Sequence, residues 1–246
     1  MIKVGNGGVP VHPSTAELEK SSSKRHDTVL CIRRVVNWTV AARQQYPNQK
    51  ILATKIDYKS AYRRGILHSV TALKAATQLP DGVAAILTLR LTFGGAPCPF
   101  EWGVFSETIC DSANELLKCE DWEPADLHAS VEGDIPPRQS FDDSTPFAAG
   151  RELIIDIPVD PRGYADVYID DTIGLTVDLP GTRNADRLEA AIPLAIEVAA
   201  RPNDVKKPIP REKMVAEDKL KAEGGLSETK TILGWQNTNT SRGRMI

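Results

Sequence analysis

The stretch Ala165–Val177, ADVYIDDTIGLTV, decides how the rest of the chain is read. β-Prone residues run into two adjacent acids, Asp170 and Asp171, and then β-prone residues resume. The pattern predicts two strands joined by a hairpin that turns at the acid pair. Adjacent carboxylates repel, and desolvating both together costs free energy. Asp is also a favoured turn residue, so an isolated Asp-Asp turn is most simply a solvated hairpin tip.

The chain has 246 residues, enough for one large domain or one domain with a partial second. Hydrophobic residues make up 41%, which allows a sizeable core and argues against global disorder. The start, MIKVGNGGVPVHP, lacks the apolar core of a signal peptide, and no apolar run approaches a membrane span. The expectation is an intracellular protein of the cytoplasm or nucleus, neither secreted nor membrane-bound. Cys31, Cys98, Cys110 and Cys119 show no CxxC pairing and the four histidines are scattered, which argues against a zinc site. Net charge is -3, unlike a strongly basic nucleic-acid binder. The acidity is concentrated, however. Residues 120–143 hold eight acids and one base, and the remainder has 29 bases against 25 acids. That mildly basic remainder could hold a polyanion weakly.

Residues 1–26 are rich in Gly, Pro and Ser and read as an irregular arm. Asp27 is placed to cap a helix to about Gln45 with Val29, Ile32, Val36 and Val40 on its apolar face. KILATKI predicts a short, mostly buried strand ending at Asp57. Residues 66–78 read as helical, 82–93 as a strand, and 99–118 as a helix after the break at GGAPCPFEW. Residues 120–150 read as a long solvated loop and RELIIDIPVD as a further strand. A helix follows with Leu188, Ile192, Ala195 and Ala199 on one face, kinked or split at Pro193. After a basic linker, 211–224 form one more helix and KTILGW a short terminal strand. The expected fold is α+β, a mixed or antiparallel sheet with helices packed on one face.

If the strand ending at Asp57 neighbours the hairpin, Asp57, Asp170 and Asp171 converge at one sheet edge. Three carboxylates in one place need cations. Two Mg2+ ions about 4 Å apart, with Mn2+ as a substitute, would neutralise them, activate a hydroxyl and stabilise a pyrophosphate leaving group.

KIDYKSAYRR, FGGAPCPFEW, YIDD and ILGW occur in that order. The set resembles the palm of retrotransposon-type reverse transcriptases, over roughly residues 28–240. Asp57 and Tyr62 match an Asp followed five residues later by an aromatic. Gly95, Ala96 and Pro97 match a Gly-rich segment before a helix. Tyr168 through Asp171 match the Tyr-x-Asp-Asp hairpin, and Leu233 with Gly234 match a Leu-Gly segment at the thumb.

The resemblance implies a polymerase palm at 51–205 carrying the acidic loop. A fingers remnant would occupy 1–50, and a linker and the start of a thumb 206–246. It implies RNA-directed DNA polymerase activity, with an RNA or DNA template, a primer and dNTPs as partners. Asp57 and Asp170 would be the main metal ligands, with Asp171 supporting. Lys59, Ser60 and Ala61 would face the triphosphate, Tyr62 would lie under the sugar, and Gly94, Gly95 and Pro97 would line the base-pair pocket. Leu233, Gly234 and Trp235 would hold the primer end, and Arg63 and Arg64 would contact phosphates. The short flanks imply that a partner chain or other parts of a longer polyprotein would supply the remaining grip. Three other readings stay open: a truncated, inactive retroelement product with weak nucleic-acid binding, a nucleotide cyclase of related plan, and an unrelated α+β binding module with a chance acidic turn.

Overall fold

The computed structural model describes residues 30–80, 82–92, 95, 98–124, 157–199 and 213–238. The residues assigned above to the N-terminal arm, most of the acidic loop and the basic linker lie outside them. The chain is α+β. Its central sheet has three strands, β1 (Lys50–Asp57), β4 (Tyr164–Tyr168) and β5 (Asp171–Asp178), in the order β1-β5-β4. Every pairing is antiparallel.

Both faces of this sheet are apolar, and that determines what packs on them. Along β1, Leu52 and Ile56 point to one side and Ile51 and Ala53 to the other, as the two-residue period of a strand requires. The first face takes two long helices, α4 (Cys98–Lys118) and α5 (Asn184–Ala199). The second takes α1 (Cys31–Gln45), whose Cys31, Val35, Trp38 and Ala42 pack on Ile173, Leu175 and Val177. The expected single helical face is therefore corrected. A strand apolar on both sides must be covered on both sides.

The buried stripe of α1 differs from the one expected. Ile32, Val36 and Val40 are only partly buried. Arg34 sets the helix rotation by gripping Asp166 of β4 through Nε (2.7 Å) and Nη2 (2.6 Å). Arg43 lies in the buried stripe because its guanidinium donates to the carbonyls of Pro47 (3.1 Å) and Gln49 (2.7 Å) in the turn to β1. Helix α5 is not split at Pro193, which lies inside one continuous helix. Its close approach is made possible by Gly174 of β5. A Cβ there would lie 2.8 Å from Ile192 Cδ1 and 2.9 Å from Leu188 Cδ1.

The sheet edges are closed. On β4, the side-chain amide of Asn114 accepts from the Ala165 N–H and donates to the Ala165 carbonyl, both at 2.8 Å, as a neighbouring strand would. On β1, Ala53 and Ser227 exchange both backbone hydrogen bonds, at 2.8 and 3.0 Å. This docks the C-terminal segment, where Met214, Val215, Leu220 and Leu226 join the α4–α5 core.

Four further expectations change. Of the strand expected over 82–93, the described residues 82–92 form only the two-residue strand β3 (Ala85–Ile86), paired with β2 (Thr77–Gln78), with Leu87 and Leu89 exposed. Leu91 instead pairs back to Gly65. Helix is confined to α2 (Ala61–Arg64) and α3 (Ser69–Lys74) before that hairpin. Of the strand expected over RELIIDIPVD, 151–156 lie outside the described residues and 157–160 carry no strand. In place of one terminal helix and one strand there are α6 (Glu217–Lys219), a π-turn at Leu220–Gly224, and a hairpin of β6 (Thr229–Ile232) and β7 (Trp235–Thr238). Its two-residue loop, Leu233 at φ 50° and Gly234 at φ 79°, has the positive φ angles of a type I′ turn, which explains the Leu-Gly pair.

The tight seat of α5 is open to test. Gly174→Ala should lower the unfolding free energy by roughly 1–3 kcal/mol, because the methyl meets Ile192, Leu188 and Thr54 at once. An unchanged urea midpoint would show that α5 can lift without cost.

Candidate active site

The β1–β5 register ends on Asp57 opposite Asp171. Directly paired residues of an antiparallel ladder project to the same face, so two carboxylates meet side by side. That face is the one covered by α1. Both residues are buried, at 6% and 9% exposure. Asp171 is thus a strand residue, not part of the hairpin tip. The turn is Ile169–Asp170, between Tyr168 and Asp171. The two adjacent acids have separate environments: the ladder fixes Asp171 against Asp57, and Asp170 sits in the turn.

Two like charges in one buried place cannot both ionise cheaply. Burial, then the hydrogen bond and charge of Asp57, push the Asp171 carboxyl up to about 7. Burial alone would raise Asp57 too, but the Asp171 hydrogen bond, Lys55 and Lys219 outweigh it and hold Asp57 below its ordinary range. The pair therefore keeps one proton between its two members near neutrality.

Cationic side chains supply part of the missing charge. Lys55 lies two residues before Asp57 and so on the same face. Its Nζ is 3.6 Å from Asp57, 3.5 Å from Asp171 and 3.8 Å from Glu223. Lys219 Nζ is 3.2 Å from Asp57 Oδ1. Behind them, Lys230 of β6 is buried and donates to the Glu223 carbonyl. Burial pushes it down to about 8, opposed by Glu223 and assisted by Lys55.

No family model, curated protein or solved structure matches the chain. The chemistry of the site is therefore argued from its own geometry and from the motifs.

Tyr62 stands half-buried on α2, close enough to Asp170 that burial and then that carboxylate raise its hydroxyl pKa. Lys59 and Ser60 are exposed between β1 and α2, with Ser60 at φ 56°, and Ala61 is buried beneath. Arg63 is exposed. Arg64 is committed to backbone, donating to the carbonyls of Lys59 (2.8 Å) and Lys213. Gly95 makes the turn into α4, its carbonyl accepting from Cys98 N–H at 3.0 Å. Gly94 and Pro97 lie outside the described residues. Leu233 packs on the same face of the sheet as Asp57 and Asp171, placing the Leu233–Gly234 tip there, and Trp235 opens β7.

Sequence reasoning missed Lys55, Lys219 and Trp102. The i, i+2 spacing of Lys55 and Asp57 in a predicted strand was a usable signal. For Lys219, remote in the chain, there was none. Trp102 of α4 donates its indole N–H to the carbonyl of Ile169 at 2.9 Å. Ile169 stands at φ 56°, which costs a β-branched residue roughly 1–2 kcal/mol.

Among the described residues no group of three His, Cys, Asp or Glu side chains is placed to hold a metal ion. The donor set nevertheless suits a hard divalent cation. It offers only carboxylate oxygens, and Mg2+ commonly takes one or two of these and completes its shell with water and phosphate. A bound cation would displace the shared proton and compete with Lys55 and Lys219 for the same carboxylate oxygens.

The sign of the pH dependence follows. Without added cation, the folded state holds a proton on Asp171 up to about pH 7, whereas the unfolded chain releases it near the ordinary value of 3.8. Stability from this group is therefore lost as pH rises through that window, by up to about 1.4 kcal/mol per pH unit. Asp171→Asn should flatten the slope in urea unfolding from pH 4 to 8, and millimolar Mg2+ should restore stability to the unmutated chain above pH 7. Identical slopes with and without the substitution would place the proton elsewhere.

Proposed function

We propose that the chain is the palm of a retroelement reverse transcriptase, an RNA-directed DNA polymerase joining dNTPs to a primer 3′-hydroxyl. One observation carries the reading. The antiparallel register sets the Asp of KIDYKSAY directly against the second Asp of YIDD, although nothing local to either motif brings them together. The turn supports it by holding Asp170 within electrostatic reach of Tyr62. So does the Leu233–Gly234 tip, which lies on the same face as the acid pair.

Asp57 and Asp171 would hold Mg2+, with Asp170 completing the set from the turn. When bound, two such ions supply charge neutralisation and activation of a hydroxyl near neutral pH. The chain's own residues do the rest. Tyr62 would pack under the deoxyribose and crowd a 2′-hydroxyl. The exposed segment at Lys59 and Ser60 would face the triphosphate. The tip at Leu233 and Gly234 would bear on the primer end, whose hydroxyl attacks the α-phosphate as pyrophosphate leaves. Template, primer and dNTP are the partners. Among the described residues no helix is long and apolar enough to cross a membrane.

One observation favours an inactive product instead. Lys55 and Lys219 already neutralise the acid pair, as they would in a cluster that no longer takes a cation.

Primer extension on an RNA template separates the two. With Mg2+, the unmutated chain should incorporate dNTPs, and Asp170→Asn should lose at least about 100-fold, the scale expected for removing a charged group that acts on the transition state. A folded, unmutated chain that extends no primer would decide for the inactive product.

A further inference from the structure

The turn that carries Asp170 is not one its residues adopt by preference. Ile169 has φ 56°, and Asp170 is not among the residues of positive φ. A two-residue hairpin with positive φ only at its first central position is ordinarily built on glycine there. Here that position is filled by a β-branched side chain, partly buried against the α4–α5 core. Strain of this kind persists only where surrounding contacts over-determine it.

Two backbone carbonyls anchor the turn. That of Asp170 accepts from Tyr58 N–H at 3.2 Å, and that of Ile169 accepts from Trp102 Nε1 at 2.9 Å. The indole itself has little freedom. Trp102 is 2% exposed and wedged between Tyr58, edge-on at 5.4 Å, and Phe105 at 5.2 Å. Tyr58 is tied in turn to β5, its hydroxyl accepting from Thr172 Oγ1 at 3.1 Å. A buried indole has one polar atom to satisfy, and here it is satisfied on the carbonyl of the strained residue. A phenyl ring would fill much of the same slot without that donor.

We infer that Trp102 is a positioning residue for Asp170: its N–H, by holding the Ile169 carbonyl, keeps the hairpin turn in the strained conformation that carries Asp170. The catalytic meaning of this rests on the polymerase reading above. The structural coupling does not.

A double-mutant cycle tests it on the full chain. Amide hydrogen exchange across Tyr168–Asp171 is compared in the unmutated protein, Trp102→Phe, Ile169→Gly and the double variant. Trp102→Phe should speed exchange of the turn five- to tenfold, the effect of losing one net hydrogen bond. In the Ile169→Gly background, where positive φ carries no strain, the same substitution should change it less than twofold. Equal effects in both backgrounds, or none in either, would overturn the inference, because Trp102 would then act only through packing or not at all. If Trp102→Phe does not fold, β-(3-benzothienyl)alanine at position 102 removes the donor while keeping the ring size, with the same expectations. In primer extension, Trp102→Phe should lower kcat five- to tenfold and leave KM for the dNTP unchanged. A raised KM at constant kcat would contradict a role through Asp170. If the unmutated chain extends no primer, the polymerase reading fails while the exchange cycle still decides whether Trp102 holds the turn.

Discussion

Two carboxyl groups face one another at the end of the sheet, and the rest of the site is arranged around the cost of ionising both. The β1–β5 ladder fixes the pairing of Asp57 and Asp171 one residue at a time, so neither acid can be moved without slipping the whole register. A slip by one residue would turn every core side chain of β1 to the opposite face. Both faces of β1 are packed, so such a slip is prohibitive. Burial of the core thus supplies the free energy that holds two acids together. What remains is to neutralise them, and the chain recruits a proton, Lys55 and Lys219 for that purpose.

The elements that reach the acids come from distant parts of the chain, and each is docked by polar contacts to the sheet. Helix α1 is held by the Arg34–Asp166 fork, with Tyr164 adding a hydrogen bond to the same carboxylate at 2.8 Å. The segment carrying Lys219 is held by backbone bonds, Ala216 N–H to Asp57 O at 2.9 Å and Lys59 N–H to Met214 O at 2.6 Å. One of these is made by the backbone of a site acid itself. Movement of 213–224 would therefore be felt directly at Asp57, so access to the acids and the docking of this segment are mechanically linked.

Much of this was legible. The hairpin, β1 and α4 are short-range patterns, and their residues alternate or repeat on cue. The pairing of β1 with β5 was legible only through the joint occurrence of motifs, since no local signal specifies which strands become neighbours. The rotation of α1 was misread because Arg34 and Arg43 serve partners outside the helix, and a hydrophobic count takes them for surface. The run 82–93 has strand-like alternation but no sheet face to receive it, so Leu87 and Leu89 stay exposed. Lys219 and Trp102 act through single contacts to residues far along the chain, and such contacts leave no periodicity to detect.

The adjacency of Asp170 and Asp171 now has a physical account. A strand residue is held by the ladder on both sides, and a turn residue is held by whatever its carbonyls and amides can find. Placing one acid in each regime gives neighbours in sequence two different degrees of constraint. Asp171 is locked against Asp57 and bears the electrostatic cost of that contact. Asp170 is offset by the turn, and its position is set through the carbonyls that Tyr58 and Trp102 hold. Glycine at position 169 would remove the backbone strain but also the side chain that packs the turn onto the core. Isoleucine accepts strain in exchange for a fixed turn.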